Sequence, residues 1–418
     1  MNNTRANSFR PCILLLSPHC SYRLGPYISA AEKLNTDVIV VSQGEHSLVS
    51  AVVSGIHVNF NDADTDQQIV TAVQGKPVQA VIGTDDLTVE LAAKVSRALG
   101  LTHNDPAAIR YTRRKDLARV CLQHSPVNVP AFEKRTLDSL SAQTPAAIPY
   151  PCVIKPLALS GSRGVIRVNS DEELQLACQR LRPILQQADN DEERETVLIE
   201  AYIPGYEFAY EGLLNKGQLQ TLALFDKPDL MQGPYFEETY YITPSRLAPQ
   251  LQEKIHLAVM QACEAYGLCE GPVHAEVRIH DDEVWFMEMA SRTIGGQCAQ
   301  LLNYATGMTL EEMVIAQASG AAIKLNDAQQ AAGVLMIPIN QRGLLRRVEG
   351  IMAAEKIEYI EDIEISIREG YEIIPLPEGD SYLGFIFAKA PTPVLVEQAL
   401  REAYAKLNIV TSPLLHSI

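Results

Sequence analysis

The chain has 418 residues, with 35 lysines and arginines against 51 aspartates and glutamates, which gives a formal net charge of −16. This excess of acid argues against a general nucleic-acid binder and against a protein of anionic membrane surfaces, because both classes carry broad basic surfaces. The mean hydropathy of −0.02 and the lack of a long apolar run argue against a transmembrane helix. A small anionic ligand in a local pocket stays compatible with this charge.

Eight cysteines are spread over the chain, and no two of them form a Cys-x-x-Cys pair. A disulfide framework or a structural zinc site is therefore not expected, whereas a reducing compartment is. The apolar stretch near the N-terminus, bracketed by Pro11 and Pro18, is too short for a signal peptide. We therefore expect a cytoplasmic protein without nucleic-acid or membrane partners.

The first hundred residues alternate between strand and helix patterns. Apolar runs at 12–17, 37–42 and 79–84 predict strands, and the segments 26–34 and 88–99 predict helices. Alternation of this kind indicates a parallel sheet. The glycine fingerprint of a dinucleotide site is missing after the first strand, so such a site is not expected.

A second region begins near residue 104, where Asp105 and Pro106 predict a helix start with Asp as N-cap and Pro at the first helical position. Further along, the sequence predicts a Pro/Ala-rich connector at 141–151, a strand at 152–156, a helix capped by Ser170 and an exposed acidic loop at 188–195. Hairpins then dominate from Gly205 to Glu288, apart from a helix at 247–266. The residues from Gly333 onward predict a small α+β unit.

The segment from Gly271 to Arg292 is the most informative one. Val273, Ala275, Val277 and Ile279 alternate with polar residues, as expected for a strand with one apolar face. A three-residue turn at 281–283 would pair each apolar residue with an apolar partner on the next strand, and it would place Glu276 opposite Glu288. A two-residue turn would pair Ala275 with Glu288 and mix the two faces.

Two carboxylates facing each other about 5 Å apart repel, so this register requires a positive charge between them. A hard divalent cation such as Mg²⁺, bound through carboxylate oxygens, is the natural partner of Glu276 and Glu288. The alternative is a solvated acidic hairpin face with no function. The apolar and small residues that flank the hairpin favour a site.

Lys155 ends an apolar strand directly before Pro156, and buried lysines are rare unless they are paired. The loop Ser160-Gly161-Ser162-Arg163-Gly164 follows, and its glycines would let backbone N–H groups approach phosphate oxygens. A plain connection between strands is the alternative for this loop. Lys115 lies in a basic segment that could equally be a solvated helix start.

Glu200 ends another apolar strand, and Glu207 follows just beyond the turn at Pro204 and Gly205. Free backbone groups around Ala201 and Ile203 could hydrogen-bond the edge of a planar ring. The two glutamates could also be ordinary charges at a strand end.

In order and spacing, these segments resemble the ATP-grasp superfamily of carboxylate–amine ligases, most strongly over residues 100–320. The resemblance implies a mixed α/β and α+β fold with a parallel βαβ pre-ATP-grasp domain at 1–105. It also implies an antiparallel ATP-grasp domain at 106–320, with a lid at about 125–203, and a small α+β subdomain at 321–418.

The resemblance also implies roles for individual residues. Those matched to nucleotide contacts are Lys115 and Lys155 for the phosphates, Ser160, Gly161, Ser162 and Gly164 for the mobile flap, Glu200, Ala201 and Ile203 for adenine, and Glu207 for ribose. The magnesium ligands would be Glu276 and Glu288, with Mn²⁺ as a possible substitute. Arg292 would stabilise the transferred phosphoryl group.

One position departs from the pattern of many members, because Ala290 stands where an Asn follows the second metal glutamate. Small residues at this position resemble the L-amino acid ligase branch, the enzymes that make dipeptides. The segments around 271–278 and after Gly333 also resemble that branch. The implied reaction is ATP-dependent joining of two L-amino acids through an acyl-phosphate.

Two further residues have candidate catalytic roles. Arg278 could contact a substrate carboxylate or phosphate, and His274 shares the strand face of Glu276, although a structural histidine is an equal alternative. Gly295 and Gly296 could shape a pocket for an amine substrate with a sizeable side chain. The competing functions are a biotin-carboxylase-like enzyme, a purine-pathway ligase or an ATP-binding module without catalysis. We expect a monomer or homodimer.

Overall fold

The structure is a computed structural model that describes residues 12–19, 21–43, 55–141, 147–188, 190–321, 323 and 330–414. The first eleven residues, part of the segment on which the signal-peptide argument rests, lie outside this range. So do residues 142–146 of the predicted connector. Within the described residues, no helix has both the length and the apolar character needed to cross a membrane.

The N-terminal region forms a four-stranded parallel sheet with helices on both faces, as the alternating pattern predicted. Its elements are β1 (Cys12–Leu16), α1 (Leu24–Lys33), β2 (Asp37–Ser42), β3 (Gly55–His57), α2 (Thr65–Ala72), β4 (Val78–Gly83) and α3 (Val89–Ala98). The strand order is β3-β2-β1-β4. Strand β1 is buried on both faces of the sheet, because Ile13 belongs to the apolar cluster on one face and Leu14 to the apolar cluster on the other. Burial on both faces explains why β1 is apolar throughout. The prediction missed β3 and α2.

Two short helices lead out of this layer, α4 (Pro106–Arg113) and α5 (Lys115–Leu122). The Asp105 carboxylate accepts a hydrogen bond from the N–H of Ala107 at 2.8 Å, and Pro106 occupies the first turn. The predicted helix start is therefore present. Lys115 is the first residue of α5, at the junction between the two helices.

A separate antiparallel sheet follows, with the order β5-β8-β6-β7. Its elements are β5 (Phe132–Thr136), α6 (Leu137–Ser141), β6 (Cys152–Pro156), β7 (Ile166–Val168), α7 (Asp171–Leu185), α8 (Asp191–Glu195) and β8 (Thr196–Ala201). The Ser170 side chain caps α7 by accepting from the N–H of Glu173, as predicted. The acidic segment contains the short helix α8, capped by Asn190, where only a loop was expected.

The central sheet is built from long antiparallel strands with helices on both faces. Its elements are β9 (Tyr206–Asn215), β10 (Gln218–Asp226), β11 (Tyr240–Thr243), α9 (Pro249–Tyr266), β12 (Gly271–His280), β13 (Glu283–Ala290), α10 (Ala299–Thr306), α11 (Leu310–Ala318) and β14 (Ala331–Ile337). Val277 belongs to the apolar cluster that packs against α9, and Ala209 belongs to the cluster that packs against α10 and α11.

The C-terminal region contributes to this central sheet and adds a small sheet of its own. Its elements are β15 (Gly343–Glu349), α12 (Ile351–Ala354), β16 (Ile360–Ile365), β17 (Glu372–Ile373), β18 (Gly384–Ala390), α13 (Pro393–Tyr404) and β19 (Asn408–Ser412). The central sheet has the order β13-β12-β9-β10-β11-β14-β18-β16, and the small sheet has the order β17-β15-β19. Because β16 and β18 extend the central sheet, the C-terminal region borders the same cavity as the central strands. The domain boundaries themselves stay predictions.

Candidate active site

A cavity of about 580 Å³ lies where the N-terminal sheet, the smaller antiparallel sheet, the central sheet and the C-terminal region meet. All predicted site residues except Gly164 line it. They are Lys115, Lys155, Ser160, Gly161, Ser162, Glu200, Ala201, Ile203, Glu207, His274, Arg278, Glu276, Glu288 and Arg292. The fold therefore brings residues that are far apart in sequence to the lining of one cavity.

The hairpin between β12 and β13 brings Glu276 opposite Glu288, as predicted, but by a different route. The turn has two residues, Asp281 and Asp282, both with positive φ, instead of the expected three. A bulge between these strands then leaves Met287 without a partner and shifts the register by one residue. Polar and apolar faces are separated again beyond the bulge.

The bulge is held from outside the hairpin. Arg119 is buried, and its Nη2 donates to the Met287 carbonyl at 2.6 Å. Its Nε lies 2.7 Å from a carboxylate oxygen of Glu200, which in turn is ion-paired with Lys155. Burial alone would raise the pKa of Glu200, but the two cations outweigh it and lower the pKa below the ordinary value. Glu200 therefore stays ionised at the cavity wall.

Glu276 is neutralised by cations of the chain itself, chiefly by Lys227, which the sequence analysis did not identify. Lys227 is 4% exposed and places its Nζ 2.9 Å from Glu276, 2.8 Å from Glu207 and 2.6 Å from Glu238. Burial would raise the pKa of Glu276, but Lys227 and His274 lower it well below the ordinary value. The positive charge that the predicted register requires is therefore supplied at Glu276 by the chain, without a bound metal ion.

Oxygen ligands for a hard cation are nevertheless present. Among the described residues, Glu207, Glu238 and Glu276 form a group whose carboxylate oxygens lie within 4.8 Å of one another. Glu288 lies across the strand pair from Glu276 and its side chain is partly exposed to the cavity. An all-carboxylate set of this kind suits Mg²⁺ or Mn²⁺.

The two predicted phosphate lysines occupy different environments. Lys115 Nζ lies 3.3 Å from Glu288 and donates to the Leu159 carbonyl at 2.8 Å, which places it beside the glycine-rich loop. Lys155 is 7% exposed, and its burial outweighs its pairing with Glu200 and lowers its pKa. Both ammonium groups face the cavity from the side of the smaller antiparallel sheet.

Only the first part of the predicted phosphate loop reaches the cavity. Ser160, Gly161 and Ser162 line it, and Gly161 and Ser162 have φ angles of 65° and 56°. Gly164 lies elsewhere, because its N–H donates to the Pro377 carbonyl at 3.0 Å. That hydrogen bond makes the N–H of Gly164 unavailable to a phosphate in this conformation, so the assignment of Gly164 to the flap contacts is not supported by its position.

Opposite charges on neighbouring strands account for the positions of two further predicted site residues, Arg278 and His274. On β12, Arg278 pairs with Glu207 of β9, and His274 pairs with Glu211 of β9. Arg278 Nε donates to Glu207 at 2.8 Å, and its Nη1 donates to the Ile203 carbonyl at 2.8 Å. These bonds fix Glu207 at the cavity wall and occupy most of the Arg278 guanidinium.

His274 lies between two carboxylates. Its Nδ1 is 3.2 Å from Glu211, and its Nε2 is 3.8 Å from Glu276. Burial lowers the pKa of His274, but the two carboxylates outweigh it and raise the pKa to about 9. The imidazole therefore carries a positive charge at neutral pH and lines the cavity as a cation.

Arg292 is held by a carboxylate of the N-terminal region. Its Nε and Nη2 donate to the two oxygens of Asp86 at 3.0 and 2.9 Å. Burial opposes ionisation of Asp86, but Arg292 outweighs it and lowers the pKa of Asp86. The planar fork of the guanidinium is thereby fixed in the cavity.

Sequence reasoning missed Asp86, Arg119, Lys227 and Glu238. Lys227 had a detectable signal, since it directly precedes Pro228 at the end of an apolar strand, in the same way that Lys155 precedes Pro156. Two aromatic residues of the segment between β10 and the end of β11, Phe236 and Tyr241, also line the cavity. Phe225 and Tyr240 are core residues.

Comparison with known families matches residues 148–300 to the ATP-grasp domain and residues 335–412 to the L-amino acid ligase C-terminal domain 2. The chain therefore contains an ATP-grasp domain. An L-amino acid ligase from Bacillus licheniformis has a similar structure, with a TM-score of 0.83 and 25% identity over 96% of this chain and 99% of that one. This agreement extends to the N-terminal and C-terminal regions of this ATP-grasp chain.

Two curated relatives are more distant. The alanine–anticapsin ligase of Bacillus amyloliquefaciens is 24% identical over 60% of this chain and 56% of its own length. The D-alanine–D-alanine ligase of Flavobacterium johnsoniae is 25% identical over 45% of this chain and 52% of its own length. The chain thus spans about half the length of these relatives.

Proposed function

We propose that the protein is an ATP-dependent carboxylate–amine ligase that joins two L-amino acids and releases ADP and phosphate. The observation that carries this proposal is the convergence of Glu276, Glu288, Lys115 and Arg292 in one cavity. The match of residues 335–412 to the L-amino acid ligase C-terminal domain supports the choice of amino acids as substrates.

The nucleotide would lie between the smaller antiparallel sheet and the central sheet. Lys115, Lys155 and the N–H groups near Ser160–Ser162 would contact the phosphates, and Glu207 would accept hydrogen bonds from the ribose hydroxyls. Adenine would lie beside Glu200, Ala201 and Ile203. The Ala201 N–H already donates to the Ala131 carbonyl, so Ile203 offers the better backbone donor.

The carboxylates of Glu276 and Glu288 would hold Mg²⁺ beside the phosphates. When bound, the ion supplies positive charge against the oxygens of the transferred phosphoryl group. The donor set fits this assignment because the oxygens come from opposite strands and Glu288 is accessible from the cavity. Lys115, 3.3 Å from Glu288, adds a cation of the chain at the same place.

In the first step, a carboxylate oxygen of one amino acid would attack the γ-phosphorus of ATP, and ADP would leave. The amine of the second amino acid would then attack the acyl carbon, lose a proton and expel phosphate. Arg292 and cationic His274 would stabilise the anionic tetrahedral intermediate. Glu238 lines the cavity, and burial together with the neighbouring Glu276 raises its pKa to about 8, so its ionised form would accept the amine proton.

The direct test is a screen of all twenty amino acids in pairs with ATP and Mg²⁺, measured by phosphate release and mass spectrometry. We expect phosphate release and a dipeptide mass only when a suitable pair is present. Release with bicarbonate alone would favour a carboxylase, and nucleotide binding without turnover in any mixture would favour an ATP-binding module.

A matched pair of variants controls this screen. Glu288→Gln removes one proposed metal ligand and should abolish release. Glu283→Gln changes an exposed glutamate on the same hairpin, at the turn, and should leave release unchanged. A cytoplasmic location and a monomeric or homodimeric state stay predictions, to be tested by fractionation and by light scattering.

A further inference from the structure

Arg23 is a buried arginine of the N-terminal region that the proposed reaction steps do not use. It is 7% exposed and lies at the start of α1. Its Nη1 donates to the Thr293 carbonyl at 2.7 Å and to the Ile294 carbonyl at 2.8 Å, so the guanidinium is fixed against the segment that follows Arg292. Burial of a charged group costs free energy, so a buried guanidinium with this orientation indicates a structural or functional role.

The other end of this guanidinium faces the cavity. Among the described residues, none accepts a hydrogen bond from Arg23 Nη2, and Arg23 lines the cavity wall together with Tyr22. Its Nε lies 3.6 Å from Oδ1 of Asp85, which is an ion pair beyond hydrogen-bond range, and the hydrogen bonds from Ser21 and Thr84 go to Oδ2 of that carboxylate. Within the described part of the chain, the Nη2 group is therefore left without a protein acceptor.

A side chain at position 295 would crowd this donor, and the glycine leaves it uncovered. A Cβ atom built on Gly295 would lie 3.2 Å from Arg23 Nη2 and 3.3 Å from the Tyr22 hydroxyl oxygen, with no other heavy atom within 4 Å outside the neighbouring residues. Arg23 Nη2 and the Tyr22 hydroxyl therefore lie close to one another beside the bare Cα of Gly295, where both line the cavity wall. Gly295 itself also lines the cavity.

We propose that Arg23 Nη2 and the Tyr22 hydroxyl bind the α-carboxylate of the acceptor amino acid, the substrate whose amine attacks the acyl-phosphate. This inference rests on the proposed function. A dipeptide ligase must hold one carboxylate where it is phosphorylated and a second carboxylate where it is not. Arg292 and the Glu276–Glu288 pair mark the first place, and Arg23, beyond Gly295, provides the second.

The fixed position of Arg23 gives this anchor its selectivity. Because Nη1 is held by two backbone carbonyls, little side-chain freedom is lost when Nη2 binds a carboxylate. A guanidinium bonded to a carboxylate forms one of the stronger hydrogen bonds in proteins. An acceptor with a carboxamide in place of the carboxylate would offer Arg23 Nη2 a neutral oxygen instead of a charged one, and the hydrogen bond would be weaker.

The test compares a free amino acid with its amide as acceptors, at saturating ATP and donor. Wild-type enzyme should prefer the free acid, and Arg23→Gln should lower kcat/KM for the free acid by about 10- to 100-fold while changing the amide by less than about threefold. Tyr22→Phe should lower the free-acid value by about three- to tenfold. That change affects an exposed ring and keeps its packing, so it provides a folded variant in any case.

Lys33→Gln is the matched control, because Lys33 lies on the same helix, is largely exposed and does not line the cavity. It should leave the preference for the free acid unchanged. Equal losses for acid and amide in the Arg23 and Tyr22 variants, or no loss in either, would overturn the carboxylate anchor. Absence of ligation by the wild-type enzyme with every pair would contradict the proposed function itself, and the anchor with it.

Discussion

Asp86 of the N-terminal region holds Arg292 of the central region by two parallel hydrogen bonds, at 3.0 and 2.9 Å. These residues are more than 200 positions apart in sequence. The proposed phosphoryl-stabilising arginine therefore has its orientation set by a different part of the chain.

Replacement of this carboxylate tests that relationship. Asp86→Asn should lower kcat by about 10- to 100-fold, because Arg292 would lose its charged partner and its fixed position in the cavity. The KM for ATP should change less, since Asp86 lies apart from the proposed adenine contacts. Glu90→Gln breaks another carboxylate–arginine pair, with Arg110, outside the cavity and is the control. Equal kinetics in both variants would contradict a positioning role for Asp86.

Lys227 should contribute strongly to stability. Lys227→Met leaves Glu207, Glu238 and Glu276 without their shared cation, and we expect the free energy of unfolding in urea to fall by about 3–5 kcal/mol. Lys254→Met, which removes an exposed ion pair with Glu283, should cost at most about 1 kcal/mol.

The same variant reports on the metal-binding capacity of this carboxylate group. Millimolar Mg²⁺ should stabilise Lys227→Met more than it stabilises the wild-type protein, because the ion can replace the lost ammonium. A loss of stability no larger than that of Lys254→Met would contradict the central role of Lys227.

The raised pKa of His274 predicts that the stability of the protein depends on pH in a specific way. Its pKa in the folded protein is about 9, against about 6.5 in an unfolded chain, so the folded state binds the proton more tightly. Its stabilising contribution is complete below about pH 6.5 and is lost as the pH rises through 9. Burial also raises the pKa of Glu211, which acts in the same direction at lower pH.

Urea unfolding between pH 6.5 and 9 measures this effect. The wild-type free energy of unfolding should decline with pH, by at most about 1.4 kcal/mol per pH unit for one proton. In His274→Gln the curve should be flatter, whereas exposed His124→Gln should follow the wild type. Parallel curves for His274→Gln and wild type would show that His274 is neutral in the folded protein.

Substitution of Gly296 tests the prediction that the amine-substrate pocket admits a sizeable side chain. Its φ is 61°, and a Cβ there would lie within 2.2 Å of Met336 Sδ, so a larger side chain must displace Met336 and fill part of the cavity. Gly296→Trp should therefore lose activity with large amine substrates and keep more activity with small ones. Gly100→Ala, with a φ of 70° and open space around it, controls for backbone strain. Uniform loss across substrate sizes would contradict the pocket assignment.

The sequence identified the parts of the site that depend on local pattern. Period-two alternation and the matching of apolar faces placed Glu276 opposite Glu288, although the actual two-residue turn and bulge could not be predicted from it. The bulge depends on Arg119, whose bond to the Met287 carbonyl joins two distant segments. Hydrophobic pattern alone does not encode such a contact.

The missing residues of the site are those defined by tertiary contacts. Asp86 and Glu238 line the cavity, whereas Lys227 lies in the same β10–β11 connection as Glu238. The roles of all three follow from partners more than ten residues away. A lysine directly before a proline at a strand end indicates a buried lysine, but it does not indicate which carboxylates pair with that lysine. The parallel N-terminal sheet was predictable because its strands are continuous apolar runs.

The central claim is ligation through an acyl-phosphate, and an isotope-transfer measurement tests it most directly. A donor amino acid carrying ¹⁸O in its carboxylate is incubated with ATP, Mg²⁺ and an acceptor from an active pair, and the released phosphate is analysed by mass spectrometry. Attack of a carboxylate oxygen on the γ-phosphorus predicts one ¹⁸O atom in each phosphate released together with dipeptide. Dipeptide formation with unlabelled phosphate would contradict the account.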